Sequence, residues 1–423
     1  MSYGLVGKKL SHSYSKLIHD AIGGYEFKMY EVAEEDFDKF ITDRQYQGLT
    51  VTIPYKVRAM QLADEISELA SVAGCVNVLY FSGKDKKVLM GDNTDYKGFL
   101  YMAERAGIRF TGRKVLILGD GGVSLTLRKA VKDQDPAQIK IATRKFEAYS
   151  PEERCNAAMS GYEYIKYEDI PEHYDAEILI NATSVGTYPR NYDKLISIHG
   201  FFQCCGVLDV VYNPFATDLI LQARDRGIPH SNGLPMLVAQ ATAAAKLFTG
   251  GKLPDGRDPE DLNEKLIAAL EESLTNIVLI GMPGAGKTTL GRVYAKALGR
   301  SFLDMDRLCE EGAKMPVPEI IEKYGEAAFR DLETVVAKGI GKEHSQVIAT
   351  GGGAILRKET MDALRQNGKI LWLDVPLENL ALEGRPLSKD RETVRKLYEE
   401  RKPLYEKYAD EKIGLSQDRK TDK

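Results

Sequence analysis

Short apolar runs alternate with helical patterns along the chain. YGLVG is followed by a helical stretch near Tyr14 to Ile22, then by FKMYEV, the helical EDFDKFITD and GLTVTIP. A second cycle begins at KVLILGDGG and continues through IKIATRK, AEILINATS and CCGVLDVVY. A third begins at NIVLIGMPG and continues through SFLDMD, VIATGGG and KILWLDV. This alternation predicts the α/β class, with mainly parallel sheets covered by helices and ligands at the strand ends. Three α/β units are expected. Between the second and third, Gly250 to Asp258 reads as a turn, after which Asp258 can cap a helix with Pro259 in its first turn. Leu262, Leu266, Leu270 and Leu274 recur on one face of that helix. The predicted junction is a turn and one amphipathic helix, and no internal repeat is evident.

Composition narrows the chemistry. A chain of 423 residues is long enough for two or three domains with real cores. Its net charge of -4 points away from nucleic acid and anionic membranes and toward small anionic metabolites. The five cysteines form no CxxC pair, which fits reduced thiols, and Cys204 and Cys205 read as small core residues entering a strand. The six histidines show no metal-binding spacing, so no metal beyond nucleotide-bound Mg²⁺ is expected. With no apolar run of some 18 residues and no signal-peptide pattern, the expected location is cytoplasmic, without membrane partners. An oligomer is compatible with the sequence.

GMPGAGKT satisfies GxxxxGK[ST] and lies between a strand and a helical stretch, the context a P-loop requires. Gly284, Ala285, Gly286, Lys287, Thr288 and Thr289 are the expected ATP-binding residues: backbone N–H groups face the phosphates, Lys287 reaches the β and γ phosphates, and Thr288 can ligate Mg²⁺. FLDMD is expected to place Asp304 and Asp306 on the same face of the next strand, one toward the metal and one toward a hydroxyl proton.

GMPGAGKT, FLDMD, AFRDLE (Arg330, Glu333), TGGGA (Gly351 to Gly353), GRPLS (Arg385) and ERKPLY (Arg401), in that order, resemble shikimate kinase from Asn276 to Lys423. The resemblance implies that Asp306, Arg330, Gly352, Gly353 and Arg401 hold shikimate, that Asp304 and Thr288 serve the metal, and that Arg385, from a lid, neutralises the transferred phosphoryl. Asp306 and Arg385 are the implied catalytic residues. Two features depart from the family: the lid is short, with no basic residue between Asp374 and Arg385, and the chain stops at KIGLSQDRKTDK without the family's usual full strand and C-terminal helix.

KVLILGDGGVS carries Gly119, Gly121 and Gly122, with Ser124 at the third position of a dinucleotide fingerprint. Alone, this partial GxGxxG is equally a tight strand-to-helix turn. Thr143, Arg144 and Lys145 end the next strand where an NAD enzyme would place an acid, which favours NADP. Asp120 adds a negative charge near the expected pyrophosphate and is expected to point outward.

SHSYS, TVTIPYK, GCVNVL, GDNTDYKG, NATSVG, LDVVYNP and GLPMLVAQAT together resemble shikimate dehydrogenase from Met1 to roughly Gly256. The resemblance implies Lys56 and Asp95 as the catalytic pair. It also implies Ser13, Ser15, Thr52, Asn77, Tyr212 and Gln240 as substrate-binding residues, and Gly119, Gly121, Gly122, Thr143, Arg144, Lys145 and Gly233 around NADP(H). Read from the residues alone, Ser13 and Ser15 could cap a helix, Asn77 and Asn93 could bridge turns, and His12 could merely pack.

The implied layout is an α/β substrate domain at 1–96 to which a helix at 234–258 returns, and a Rossmann NADP-binding domain at 97–233. A helical connector at 259–275 and a P-loop domain of nucleoside-monophosphate-kinase type at 276–423 follow. The two families catalyse consecutive steps of aromatic amino acid biosynthesis, from 3-dehydroshikimate to shikimate to shikimate 3-phosphate. The expected cofactors are NADP(H) and ATP with Mg²⁺. Use of quinate or NAD, and a nucleotide-binding regulatory or weakly active kinase-like unit, remain the competing readings.

Overall fold

Buried parallel strands demand near-continuous apolar runs, and the runs noted above become strands, of which Phe27–Glu31 and Ser301–Asp304, at sheet edges, are only partly buried. The computed structural model describes residues 2–10, 13–83, 88–254, 256–381 and 391–414. The chain divides into two compact units, Met1–Ala269 and Leu270–Lys423.

The first unit holds two sheets. β1 (Tyr3–Gly7), β2 (Phe27–Glu31), β3 (Gly48–Val51), β4 (Glu65–Ile66), β5 (Val78–Ser82) and β6 (Val88–Asp92) form the order β2-β1-β3-β5-β6-β4. This sheet is mixed, because β5 runs antiparallel to both β3 and β6. β7 (Lys114–Leu118), β8 (Gln138–Ala142), β9 (Glu163–Ile165), β10 (Ile178–Asn181), β11 (Gly206–Asp209) and β12 (His230–Ser231) form a parallel sheet in the order β12-β11-β10-β7-β8-β9. This is the doubly wound order, with its switch point between β7 and β10.

The helix Leu234–Phe248 returns to the first sheet: Phe248 stacks on Tyr3 with ring centroids 4.7 Å apart and accepts the Tyr3 hydroxyl through its carbonyl at 2.9 Å. It also packs on the helix Asp95–Arg105, where a Cβ on Gly98 would stand 2.7 Å from the Met236 carbonyl oxygen. Only a glycine allows that approach.

The junction helix spans Pro259–Leu274, capped as expected by Asp258, whose carboxylate accepts from the Glu260 N–H at 2.8 Å. Its buried stripe differs from the one expected: Leu262, Asn263, Leu266 and Ile267 are buried, whereas Leu270 and Leu274 are only partly covered. A helix turns 100° per residue, so strict fourth-residue spacing drifts off the face that adjacent pairs maintain. Asn263 is buried because its side-chain oxygen accepts the Thr242 hydroxyl at 2.7 Å.

The second unit contains β13 (Asn276–Ile280), β14 (Ser301–Asp304), β15 (Gln346–Ala349), β16 (Gly368–Asp374) and β17 (Glu411–Gly414), all parallel, in the order β14-β15-β13-β16-β17. The P-loop strand is thus central. A final strand is present, in contrast to the sequence expectation. The paired cysteines also divide: Cys204 is buried and Cys205 exposed, because β11 begins only at Gly206.

Candidate active sites

In the first unit, β1, β3, β5 and β6 deliver their ends to one cavity of about 620 Å³. Ser13, Ser15, Thr52, Lys56, Asn77, Asp95, Tyr212, Gly233 and Gln240, all named from the sequence, line it. Lys56 begins the helix Lys56–Leu62 and Asp95 begins Asp95–Arg105, so each is presented from a first turn. The Lys56 ammonium donates to Asp95 Oδ2, with the two side chains only 12% and 8% exposed. Asn77 Nδ2 donates to Asp95 Oδ1 at 2.9 Å and to Thr94 Oγ1 at 3.0 Å, while Asn77 Oδ1 accepts the Thr94 N–H at 2.7 Å. The carboxylate is therefore held by one oxygen while the other faces the ammonium. A desolvated pair of this kind is retained for positioned chemistry more readily than for stability.

Ser13 Oγ donates to Ser15 Oγ at 3.0 Å and accepts the Ser15 N–H at 3.2 Å, so it satisfies a donor at the start of the helix Ser15–Ile22 while both serines line the cavity. Burial pushes the Tyr212 hydroxyl up, keeping it a neutral donor, and its ring lies 5.2 Å from that of Tyr14. Lys9, which the sequence reading missed, also lines the cavity. Among the described residues it has no ion-pair partner, so it adds a positive charge that the Lys56–Asp95 pair does not cancel.

The glycine turn follows β7 at the switch point of the second sheet. Gly119 has φ 103°, and a Cβ there would collide with Thr183 Cγ2. A Cβ on Gly121 or Gly122 meets nothing within 4 Å, so the turn before the helix Gly122–Lys132 forms an open cradle that fits a pyrophosphate. Arg144 and Lys145 are exposed just after β8, beside this turn: the Gly119 N–H donates to the Ala142 carbonyl at 2.9 Å, and buried Thr143 accepts the Lys145 N–H at 3.0 Å. Asp120 does not point outward. Its side chain is 5% exposed, accepts from the Tyr149 hydroxyl and lies 3.8 Å from Arg128, so the charge is turned aside and compensated.

In the second unit, Gly281, Gly284 and Gly286 have φ of 146°, 88° and 90°, as the P-loop turn requires before the helix Lys287–Leu298. Ala285 is buried beneath the loop, whereas Thr289 is exposed. Lys287 donates to the Gly281 and Met282 carbonyls at 2.9 and 3.1 Å, and Thr288 donates to Asp304 Oδ2 at 2.8 Å. Asp304 and Asp306 do not share a strand face. Asp304 ends β14 and caps the helix Met305–Ala313 through the Asp306 and Arg307 N–H groups, whereas Asp306 lies in that helix's first turn. The strand stops because the Asp304 carboxylate satisfies the helix's orphan donors, so strand alternation ceases to apply.

The acceptor side is crowded. A Cβ on Gly351 would stand 2.6 Å from Asp306 Oδ1 and 2.8 Å from Glu333 Oε1, one on Gly352 would stand 2.5 Å from Pro283, and one on Gly353 would collide with the Arg330 guanidinium. Arg330 donates to Glu333 and Glu326, each at 2.8 Å. Burial opposes its charge, but these two carboxylates hold it above the usual guanidinium value. Burial also raises Asp306 and Glu333, with Lys287 and Arg330 respectively pulling the other way. Arg401 donates to the Gly352 carbonyl at 3.1 Å, as does the Tyr405 hydroxyl at 2.8 Å. Glu326 and Tyr405 were not singled out in the sequence, although EAAFRDLE already showed the helical spacing that brings Glu326 and Glu333 to Arg330. Arg385 and His12 lie outside the described residues.

Among the described residues, no cluster of His, Cys, Asp or Glu is arranged to hold a metal ion by itself, and no helix is long and apolar enough to cross a membrane.

Two family models match: shikimate dehydrogenase substrate binding domain over residues 5–79, and shikimate kinase over residues 283–422. The chain is 33% identical to the shikimate dehydrogenase (NADP(+)) of Clostridium perfringens strain 13 over 275 residues, covering 62% of this chain and 97% of that protein. It is 42% identical to the shikimate kinase of Clostridium beijerinckii over 142 residues, covering 32% of this chain and 83% of that protein. The crystal structure of Thermus thermophilus shikimate 5-dehydrogenase in complex with NADP(H) and shikimate superposes with a TM-score of 0.53 at 27% identity, over 63% of this chain and 99% of that one. The chain belongs to the shikimate dehydrogenase family through its first unit and to the shikimate kinase family through its second.

Proposed function

We propose that this chain is a bifunctional enzyme: its first unit reduces 3-dehydroshikimate to shikimate with NADPH, and its second phosphorylates shikimate with ATP to shikimate 3-phosphate. What carries the reading is that each unit holds a site suited to one of two consecutive reactions, the product of the first being the acceptor of the second. The proposed domains are 1–96 with 234–258, 97–233, the connector 259–275, and 276–423.

In the dehydrogenase site, Ser13, Ser15, Thr52, Asn77, Tyr212 and Gln240 bind the carboxylate and hydroxyls of the ring. Apolar Leu5, Leu10 and Met236 exclude water. Bound NADPH supplies a hydride. Lys56 offers a proton and positive charge to the oxygen that becomes an alkoxide, and Asp95 fixes the ammonium in place. Gly119, Gly121, Gly122 and Gly233 let the backbone approach the dinucleotide, and Thr143, Arg144 and Lys145 select the 2'-phosphate.

In the kinase site, Gly284 to Thr289 cradle the triphosphate, and Arg330, Gly352, Gly353 and Arg401 bind the acceptor, the arginines through its carboxylate. The hard oxygen donors of Thr288 and Asp304 fit Mg²⁺, which supplies positive charge at the phosphates when bound. Asp306 accepts the proton of the attacking hydroxyl, and the proton affinity that burial raises makes it a stronger base than an exposed carboxylate. The proposed role of Arg385 is to neutralise the transferred group.

Separate assays of the purified chain test the reading: NADPH against NADH, shikimate against quinate in the reverse direction, and ATP with shikimate. Preference for NADPH and shikimate, with phosphorylated product, is expected. ATP binding without phosphorylation would instead favour a regulatory second unit.

A further inference from the structure

Asn93 and Cys75 stand two residues before Asp95 and Asn77, on the segment that leaves β6 and the segment that enters the adjoining end of β5. The Asn77 N–H donates to the Asp92 carbonyl at 3.0 Å, which ties these segments together. Asn77 and Asp95 face the cavity. Asn93 and Cys75 instead meet the helix Gly122–Lys132, the one that opens at the dinucleotide turn.

Asn93 is 1% exposed, and its Nδ2 donates to the Cys75 carbonyl at 3.0 Å and to Thr126 Oγ1 at 2.9 Å. Its Oδ1 accepts the Tyr96 N–H at 3.2 Å, in the first turn of the helix that begins with Asp95. Thr126 is fully buried on the cofactor helix and lies 3.4 Å from Cys75 Sγ, which also reaches the Gly122 carbonyl at 3.7 Å. One short hydrogen-bonded chain therefore runs from the Gly122 carbonyl through Cys75, Thr126 and Asn93 to the first turn of the helix whose leading carboxylate holds Lys56. It contains no charge and does not reach the cavity.

We propose that the Asn93–Thr126 contact is a latch that sets the distance between the cofactor helix and the Lys56–Asp95 pair, with Thr126 and Asn93 as positioning residues for hydride transfer. The proposal rests on the dehydrogenase reading of the first unit. A buried amide that loses its acceptor must find another or shift, and a displacement of about 1 Å can cost on the order of a hundredfold in a positioned reaction. The latch thus acts on kcat more than on binding.

The test compares Thr126→Val, nearly the same size without a hydroxyl, with Thr126→Ser, which keeps it. Measurements are kcat, the KM values for NADP(H) and 3-dehydroshikimate, the kinetic isotope effect with NADPH deuterated at the transferred position, and Tm. Thr126→Val is expected to lower kcat about tenfold, alter the isotope effect and leave both KM values within about threefold. Thr126→Ser is expected to restore kcat and the isotope effect. Phosphorylation of shikimate by the second unit serves as an internal control and should not change. If Thr126→Val lowers Tm but keeps the wild-type kcat and isotope effect, the contact is only structural and the proposal is overturned. Should that variant not fold, Thr126→Ala carries the same expectations. A wild-type chain that does not reduce 3-dehydroshikimate would refute the dehydrogenase reading itself, an outcome distinct from failure of the latch.

Discussion

The two candidate sites satisfy their charges in different ways. In the dehydrogenase cavity, Lys56 and Asp95 neutralise each other and Asn77 fixes the carboxylate, so the reacting cation already has the partner it keeps during chemistry. In the kinase unit, Lys287 rests on the Gly281 and Met282 carbonyls and Arg401 on the Gly352 carbonyl, while Arg330 is shared by Glu326 and Glu333. Reduction of a ketone generates an oxyanion only in the transition state, so preorganised positive charge is useful throughout. Phosphoryl transfer brings its anions with the nucleotide, so Lys287 can rest on neutral carbonyls that phosphate displaces, whereas Arg330 on the acceptor side keeps its carboxylate partners.

The largest effects should separate the units. Lys56→Ala is expected to lower NADPH-dependent reduction by about a thousandfold or more while phosphorylation is unchanged, and Lys287→Ala to do the reverse. Assaying both reactions on each purified variant checks this, and loss of both activities from either change would contradict independent sites. Next comes the difference in how deeply the charges are committed. Glu333→Ala leaves the Arg330 guanidinium buried without its buried partner and should destabilise the second unit by about 3–5 kcal/mol in urea unfolding. Little change would mean that Glu326 and solvent suffice.

A third prediction concerns pH and the first unit alone. Burial pushes His19, stacked on Phe27 at 3.8 Å, down to about 3 from the ordinary 6.5. Because the folded-state value is depressed, the stability it contributes is complete above the unfolded value and is lost as pH falls from about 6.5 toward 3, at about 1.4 kcal/mol per unit. His19→Gln should flatten this acid-side slope, measured by unfolding followed with circular dichroism. An unchanged slope would place the acid sensitivity elsewhere. The smallest effect is expected at the cavity. Lys9→Ala should raise the KM for 3-dehydroshikimate about threefold, more at low ionic strength, with kcat preserved and Lys9→Arg restoring it. An unchanged KM would show that the serine and threonine hydroxyls suffice.

Local signals were legible in proportion to how much chemistry they confined to neighbouring residues. GMPGAGKT announced its own geometry because turn, cation and helix start are contiguous. Lys56 and Asp95 were identified only through the family motifs, since nothing local connects residues 39 apart. The Asp304–Asp306 expectation failed because a carboxylate that ends a strand can also start a helix, and spacing alone does not reveal which geometry follows. Asp120 was misplaced because its partners, Tyr149 and Arg128, come from separate elements. Lys9 gave no signal, since a single lysine in a loop has no periodicity.

The most direct test of the account is one reaction: the purified chain with 3-dehydroshikimate, NADPH, ATP and Mg²⁺, followed by NADPH absorbance and by mass spectrometry of the products. The account predicts shikimate 3-phosphate formed in step with NADPH oxidation, and none when NADPH is omitted. NADPH oxidation with shikimate accumulating unphosphorylated would contradict the claim that both consecutive activities reside in this chain.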